Sequence, residues 1–256
     1  MKLITLNLWG GKIYEPLIKF IATHSSDTDI FCFQDVLFGS RSEFSAIQQA
    51  RINLSEEIQK VLPGFNMFRY SDPEESFVGG ELLPPDVGCG QAIFVRRDIE
   101  VLENGGFRSH PESSYHKGGD FVSGRCQWIK IRTDNPEKVT ILNLHGLWKR
   151  DSNKKDIAER IEQSQKIKEF LKNHNSKKVV CGDFNIVNDG NAIDLLEDGL
   201  INLIKKYKVA STRSSHYPKE EKFADYILTS TSIKINDFKV LQDEISDHLP
   251  LLIDFK

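Results

Sequence analysis

Apolar residues recur along this chain in two rhythms. Short runs rich in β-branched and aromatic residues, such as Lys2-Leu3-Ile4-Thr5-Leu6, Ile30-Phe31-Cys32-Phe33 and Lys178-Val179-Val180-Cys181, read as strands. The same reasoning predicts strands over 2–8, 30–33, 65–70, 90–96, 99–107, 125–132, 138–144, 178–181, 224–229, 233–240 and 250–255. Longer stretches with helical spacing predict helices over 14–23, 42–61, 156–173 and 192–206. In 42–61, Ser42 is a candidate N-cap, and Phe44, Ile47, Ile52, Leu54, Ile58, Val61 and Leu62 follow a helical rather than alternating pattern. In 156–173, Ile157, Ile161, Ile167 and Leu171 form one apolar stripe among charged positions.

Strands outnumber helices, many neighbours are joined by turn-length links, and helices interrupt strand groups in each half. That pattern suits two packed sheets with helices outside, an α/β or α+β fold. There is no internal repeat or low-complexity segment, and the Pro- and Gly-containing stretch at 79–90 reads as a loop. A length of 256 residues is expected to form one domain spanning 1–256.

Composition narrows the class further. Hydrophobic content of 39% with 28% charged residues is ordinary for a soluble globular protein. No apolar stretch approaches the roughly 18–20 residues that span a bilayer. Met1-Lys2 runs directly into a strand, so no signal peptide is expected. Cys32, Cys89, Cys126 and Cys181 show no CxxC spacing, and most sit in apolar runs, which predicts buried, reduced thiols and a cytoplasmic setting. A net charge of −3 argues against tight nonspecific binding to long nucleic acid, with Trp148-Lys149-Arg150 and Lys154-Lys155 as the one candidate basic strip.

The chemistry lies at strand ends. Asn7, Gln34-Asp35, Gly182-Asp183-Phe184-Asn185 and Ser246-Asp247-His248 are short polar clusters that follow or adjoin apolar runs. Carboxylate and amide oxygens suit a hard divalent cation, whereas amide, guanidinium and imidazole N–H groups suit phosphate oxygens. Gly-Asp-Phe-Asn alone could be a turn; the joint occurrence of the clusters carries the inference. Asn7, Asp35 and Asp247 are the candidate metal residues, with Mg²⁺ as the expected ion and Mn²⁺ as its substitute. No Gly-rich phosphate loop or nucleophile elbow supports an NTPase or serine-hydrolase reading.

In order and spacing these clusters resemble the endonuclease/exonuclease/phosphatase superfamily of metal-dependent phosphohydrolases. Gly124-Arg125, Asn143-Leu144-His145, Arg160-x-x-Gln163 and Asp225-Tyr226 extend the resemblance, which runs from Asn7 to His248. It implies a four-layer α/β/β/α sandwich, two packed mixed β-sheets flanked by helices. It places the principal metal-binding acid at Asp35, where most relatives carry the longer Glu. Asp183 is expected to activate the attacking water, and Asn185, His145 and His248 to contact phosphate. The resemblance has Asp225 accept a hydrogen bond from His248. The acid that partners the other histidine in some deoxyribonucleases has no clear counterpart, leaving His145 as a phosphate binder. Arg125 is the guanidinium candidate for phosphate. Trp9 and Trp148 either line the cleft, stacking on a substrate, or pack the rim.

Together these readings predict a metal-dependent phosphodiesterase, monomeric, acting on a nucleic-acid end, a nucleotide or a small ester. Specificity is expected in the loops at 71–90, 108–124 and 146–155, the first acidic through Asp72, Glu74, Glu75, Glu81 and Asp86. Two alternatives stay open. One is a sphingomyelinase-like lipid phosphodiesterase, since Asn7-Leu8-Trp9-Gly10 is similar to those members; the other is a non-catalytic binding protein on the same scaffold.

Overall fold

A computed structural model describes residues 1–44, 49–71, 77–78, 81–110, 121–122, 124–133, 137–150 and 152–256. Its strands are β1 (Lys2–Asn7), β2 (Ile30–Phe38), β3 (Phe65–Ser71), β4 (Phe77–Val78), β5 (Glu81–Leu82), β6 (Gly88–Arg96), β7 (Val101–Arg108) and β8 (Phe121–Val122). They continue as β9 (Arg125–Arg132), β10 (Lys138–His145), β11 (Trp148–Lys149), β12 (Lys177–Asp183), β13 (Leu200–Asn202), β14 (Asp225–Ser230), β15 (Ile235–Val240) and β16 (Leu251–Phe255). The helices are α1 (Tyr14–His24), α2 (Leu54–Val61), α3 (Ala158–Lys172), α4 (Asn191–Glu197) and α5 (Leu203–Lys206).

Two six-stranded mixed sheets carry the architecture, in the orders β15-β16-β1-β2-β6-β3 and β13-β14-β12-β10-β9-β7. Each has one parallel pair at its centre, β1 with β2 and β10 with β12, and antiparallel partners outward from it. Successive side chains along a strand face opposite sides of a sheet, and that alternation sorts the core. Ile30 and Cys32 of β2 join the cluster that includes Cys126, Leu142 and Val180 of the other sheet. Phe31 and Phe33 join the outer cluster with Leu17 and Ile21 of α1 and Leu54 and Ile58 of α2. This is the expected sandwich with helices outside. All four cysteines are buried thiols outside any disulfide, the burial expected from their surroundings.

Two helix expectations need correction. The 42–61 segment is helical only from Leu54; residues 45–48 lie outside the described residues, and Phe44 forms an isolated bridge to Arg51. The Ser42 hydroxyl accepts from Arg51 Nη2 at 2.7 Å. Arg51 lies over the rings of Tyr14 and Phe44, so long-range contacts override the local helical spacing. The 192–206 segment is broken at Gly199, in the left-handed region at φ 81°, which lets Leu200–Asn202 pair with β14 before α5 begins. Asn202 then caps α5 by accepting from Ile204 N and Lys205 N.

The sheets are fastened by buried amides. Gln34 Nε2 donates to Asn143 Oδ1 at 2.6 Å, Asn143 Nδ2 to the Phe33 carbonyl at 3.0 Å, and Gln91 Nε2 to the Asn143 carbonyl at 2.7 Å. These bonds hold β2 and β6 against β10 beneath the strand ends that carry the polar clusters. Slippage of one sheet across the other would strand several buried amide groups at once.

Candidate active site

Strand register sets one half of the site. His145 at the end of β10 is paired with Asp183 at the end of the parallel β12. Antiparallel neighbours bring their first residues to the same edge, so Arg125 stands opposite His145 and Asp225 opposite Asp183. Arg125, His145, Asp183 and Asp225 therefore form one row across four strands, although they span a hundred residues of sequence.

The facing sheet supplies the other half through the parallel pair of Asn7 with Gln34. β2 then bulges between Gln34 and Val36, with Asp35 left-handed at φ 52°. The bulge takes Asp35 out of the ladder and points its carboxylate at the other sheet, where Oδ1 lies 3.4 Å from His145 Nδ1. Asp and Asn are among the non-glycine residues that tolerate this conformation best, and Asn185 adopts it too at φ 54°. Past the bulge β2 continues through Val36-Leu37-Phe38, beyond its expected end at 33.

Asp183 Oδ2 is a point of convergence. It accepts from Asn7 Nδ2 at 3.2 Å and faces His248 Nε2 at 3.6 Å and His145 Nε2 at 3.8 Å. The last two separations leave room for a shared water or phosphate oxygen rather than a direct bond. The other oxygen, Oδ1, accepts from Asn185 N at 3.0 Å, closing the loop so that Asn185 Nδ2 reaches the Gly146 carbonyl. Gly182, at φ 123°, makes the approach possible: a Cβ there would lie 2.1 Å from the Leu144 carbonyl oxygen. Burial opposes ionisation of Asp183, but the fields of His248, His145, Arg213 and Lys154 outweigh it and bring the carboxyl down to about 2.

His248 is held from behind. Its Nδ1 lies 2.8 Å from both oxygens of Asp225, and both residues are buried, which fixes the ring and makes Nδ1 the donor. Burial and Arg213 disfavour a second proton, yet the carboxylates of Asp225, Asp247 and Asp183 prevail and raise the imidazole pKa. Ser246 Oγ donates to the Asn7 carbonyl at 2.7 Å and locks this segment to the end of β1.

Every candidate residue except Asp225 lines one cleft of about 340 Å³. Trp9 and Trp148 are both on its wall. His145, expected to lack an acid, has Asp35 beside it. Arg160 and Gln163 serve the loop that follows His145: Arg160 donates to the Lys155 carbonyl and Ser152 Oγ, and Gln163 Oε1 accepts from Leu147 N.

The family model for the endonuclease/exonuclease/phosphatase family matches residues 4–248. The chain belongs to that family. Its members are hydrolases acting on phosphoester bonds, and the family generally uses a divalent metal. Among solved structures, the chain is similar to a mannosyl-6-phosphatase from Bacteroides thetaiotaomicron at 19% identity and TM-score 0.70, covering 100% of this chain and 99% of that one. It is also similar to the human Nocturnin catalytic domain, at 15% identity and TM-score 0.62, over 100% of this chain and 93% of the other. A truncated Caenorhabditis elegans TDP2 gives 14% identity and TM-score 0.63, over 99% and 96%. No curated protein sequence matches this chain. These likenesses show the fold.

Within that fold, Asp183, Asp225 and His248 put ligand atoms within 4.8 Å of one another and could hold a metal ion. Asp35 and Asn7 line the same cleft. Residues that the sequence did not single out also face the cleft: Arg213, Tyr217, Pro218 and Lys219 come from the long connection before β14, and Lys154 of the candidate basic strip lines it as well. The supposed basic strip is thus divided, with Lys149 paired to Glu159 at 3.0 Å and Lys154 buried. A stretch mixing Arg, Tyr, Pro and Lys just ahead of the Asp225 strand was the available signal. Of the acidic residues noted in the 71–90 loop, Asp72, Glu74 and Glu75 lie outside the described residues. Among the described residues no helix is long and apolar enough to cross a membrane.

Proposed function

We propose that the protein is a metal-dependent phosphoester hydrolase that transfers the phosphoryl group directly to water. The observation that carries this reading is the convergence of Asn7, His145 and His248 on Asp183 Oδ2 inside one cleft, with Asp35 and Arg125 on its walls.

The residues fit a hard divalent ion: Asp35 and Asn7, both lining the cleft, carry the carboxylate and amide oxygens that such an ion prefers. Asp247 lines the same cleft, with Oδ2 accepting from Arg213 Nη1 at 3.1 Å. Mg²⁺ suits this donor set, and Mn²⁺ would replace it. The bound ion supplies Lewis-acid polarisation of the phosphoryl oxygens.

Asp183, ionised throughout the neutral range, orients a water for in-line attack and takes up its proton. Asn7 and Asn185 hold that carboxylate, and Asn7 is itself oriented because Oδ1 accepts from Trp9 N at 2.9 Å. His248 is held by Asp225 with Nε2 turned towards Asp183 and the reacting phosphate, and His145 and Arg125 balance charge on the opposite side. Trp9 and Trp148 hold the leaving group. No covalent enzyme intermediate is required.

Hydrolysis of p-nitrophenyl phosphate and bis(p-nitrophenyl) phosphate with Mg²⁺, Mn²⁺ or EDTA tests this, with Asp183→Ala as the control for a contaminating hydrolase. Metal-requiring turnover of either ester that disappears in the variant is expected. Equal rates for wild type and variant would overturn the reading.

A further inference from the structure

The sequence predicts a diester substrate, but two cations, Arg213 and Lys154, stand together on one wall of the cleft. Arg213 is 94% buried by its side chain and is anchored at both ends of its reach. Its Nη1 touches Asp247 Oδ2 at 3.1 Å and His248 Nε2 at 2.5 Å, and its guanidinium lies 4.0 Å from the ring centroid of Tyr217. The backbone carrying it is fixed by Ser214, whose hydroxyl donates to the Ser246 carbonyl at 2.6 Å, and by the Arg213–His248 bridge. Yet Arg213 Nε is buried with no hydrogen-bond partner among the described residues. A buried guanidinium N–H without a partner is a costly arrangement unless a ligand completes it.

Lys154 adds to the same wall. It is buried, and its ammonium makes only long contacts, 3.3 Å to the Phe223 carbonyl and 3.5 Å to Tyr217 Oη. Burial and the nearby Arg213 bring its pKa down to about 8 against the pull of Asp183 and Asp225, so it still carries most of its charge at neutral pH. Lys219 lines the cleft beside them. Arg213 and Lys154 are therefore two cations packed on one tyrosine, next to the imidazole that faces the reacting phosphate. Like charges brought together and desolvated in this way complement an anion of more than one charge.

We propose that Arg213 and Lys154 form a phosphate subsite that selects a terminal phosphate monoester, a dianion with three free oxygens, over a diester with two. Resting on the hydrolase reading, this assigns the substrate class: a phosphate monoester of a small polyol, sugar or nucleotide, released as inorganic phosphate when water attacks phosphorus and the alcohol leaves. Arg213 donates to a free oxygen, and Lys154 neutralises the added charge.

The test combines binding with turnover. Titration calorimetry of wild type, Arg213→Gln and Lys154→Met with inorganic phosphate and with dimethyl phosphate, in EDTA and in Mg²⁺, reads the subsite without chemistry. Wild type is expected to prefer phosphate, and each variant to lose at least ~tenfold in phosphate affinity while dimethyl phosphate binding changes less. With metal, the ratio of kcat/KM for p-nitrophenyl phosphate to that for bis(p-nitrophenyl) phosphate is expected to fall at least ~tenfold in each variant. Thermal melting confirms folding, and Lys154→Met covers the case in which freeing Asp247 unfolds Arg213→Gln. No measurable phosphate binding by the wild type, or equal losses on monoester and diester, overturns the subsite. Phosphate binding that depends on Arg213 with no turnover of either ester overturns the hydrolase reading and leaves the subsite standing.

Discussion

Asp183→Asn separates the electrostatics of the site from its shape, because the amide keeps the volume and loses the charge. In the native protein the Asp183 carboxyl sits at about 2 against an ordinary value of 3.8, with the group fully buried. Each unit is ~1.36 kcal/mol, so the ionised form is stabilised by about 2 kcal/mol relative to the unfolded chain. The folded-state pKa is the lower one. The stabilisation is therefore complete above the unfolded value and is lost as pH falls through the interval from 3.8 towards 2, roughly half of it by pH 3. Urea unfolding of both proteins in EDTA, from pH 7 downwards, measures it. All other carboxylates are common to the pair, so the difference between the two unfolding free energies isolates position 183. Wild type is expected to lose about 1 kcal/mol relative to the variant between pH 5 and pH 3. A difference that stays flat across that interval would falsify the claim that His248, His145, Arg213 and Lys154 hold Asp183 ionised.

Other consequences can be measured directly. Asp225→Asn removes the carboxylate behind His248 while keeping its size, and kcat is expected to fall ~10²–10⁴-fold with KM much less affected, checked by steady-state kinetics on the active ester. Asp35→Asn is expected to weaken Mn²⁺ binding by at least ~tenfold, read by electron paramagnetic resonance of the free ion; unchanged affinity would move the ion to the Asp183–Asp225–His248 position. Gly182→Ala places a Cβ 2.1 Å from the Leu144 carbonyl at a φ that side chains avoid, so a loss of ~1–3 kcal/mol and several degrees of melting temperature is expected.

Much of the site was legible because its chemistry is local to strand ends. An apolar run followed by Asn7, Gln34-Asp35, His145 or Gly182-Asp183 announces both a strand and what it delivers. The eleven strands read from apolar runs all occur with ends shifted by a residue or two, except β2, which runs on five residues to Phe38; the short strands β4, β5, β8, β11 and β13 were not read. Segments governed by distant contacts were less legible. Phe44 and Ile52 satisfy a helical spacing, yet Arg51 stacks on Tyr14 and Phe44, and the helix begins only at Leu54.

What the sequence determined by itself was the order of strands, the kinds of groups at their ends and the family they belong to. Only the tertiary structure decided how those groups meet. Register across β9, β10, β12 and β14 aligned Arg125, His145, Asp183 and Asp225, and the buried amides of Gln34 and Asn143 set the second sheet against that row. The bulge at Asp35 gave His145 an acid, and the connection before β14 brought Arg213 and Tyr217 into the cleft. Local pattern reports which face a residue takes and where a strand stops. Pairing between segments a hundred residues apart depends on the whole packed core, so no single stretch of sequence carries it.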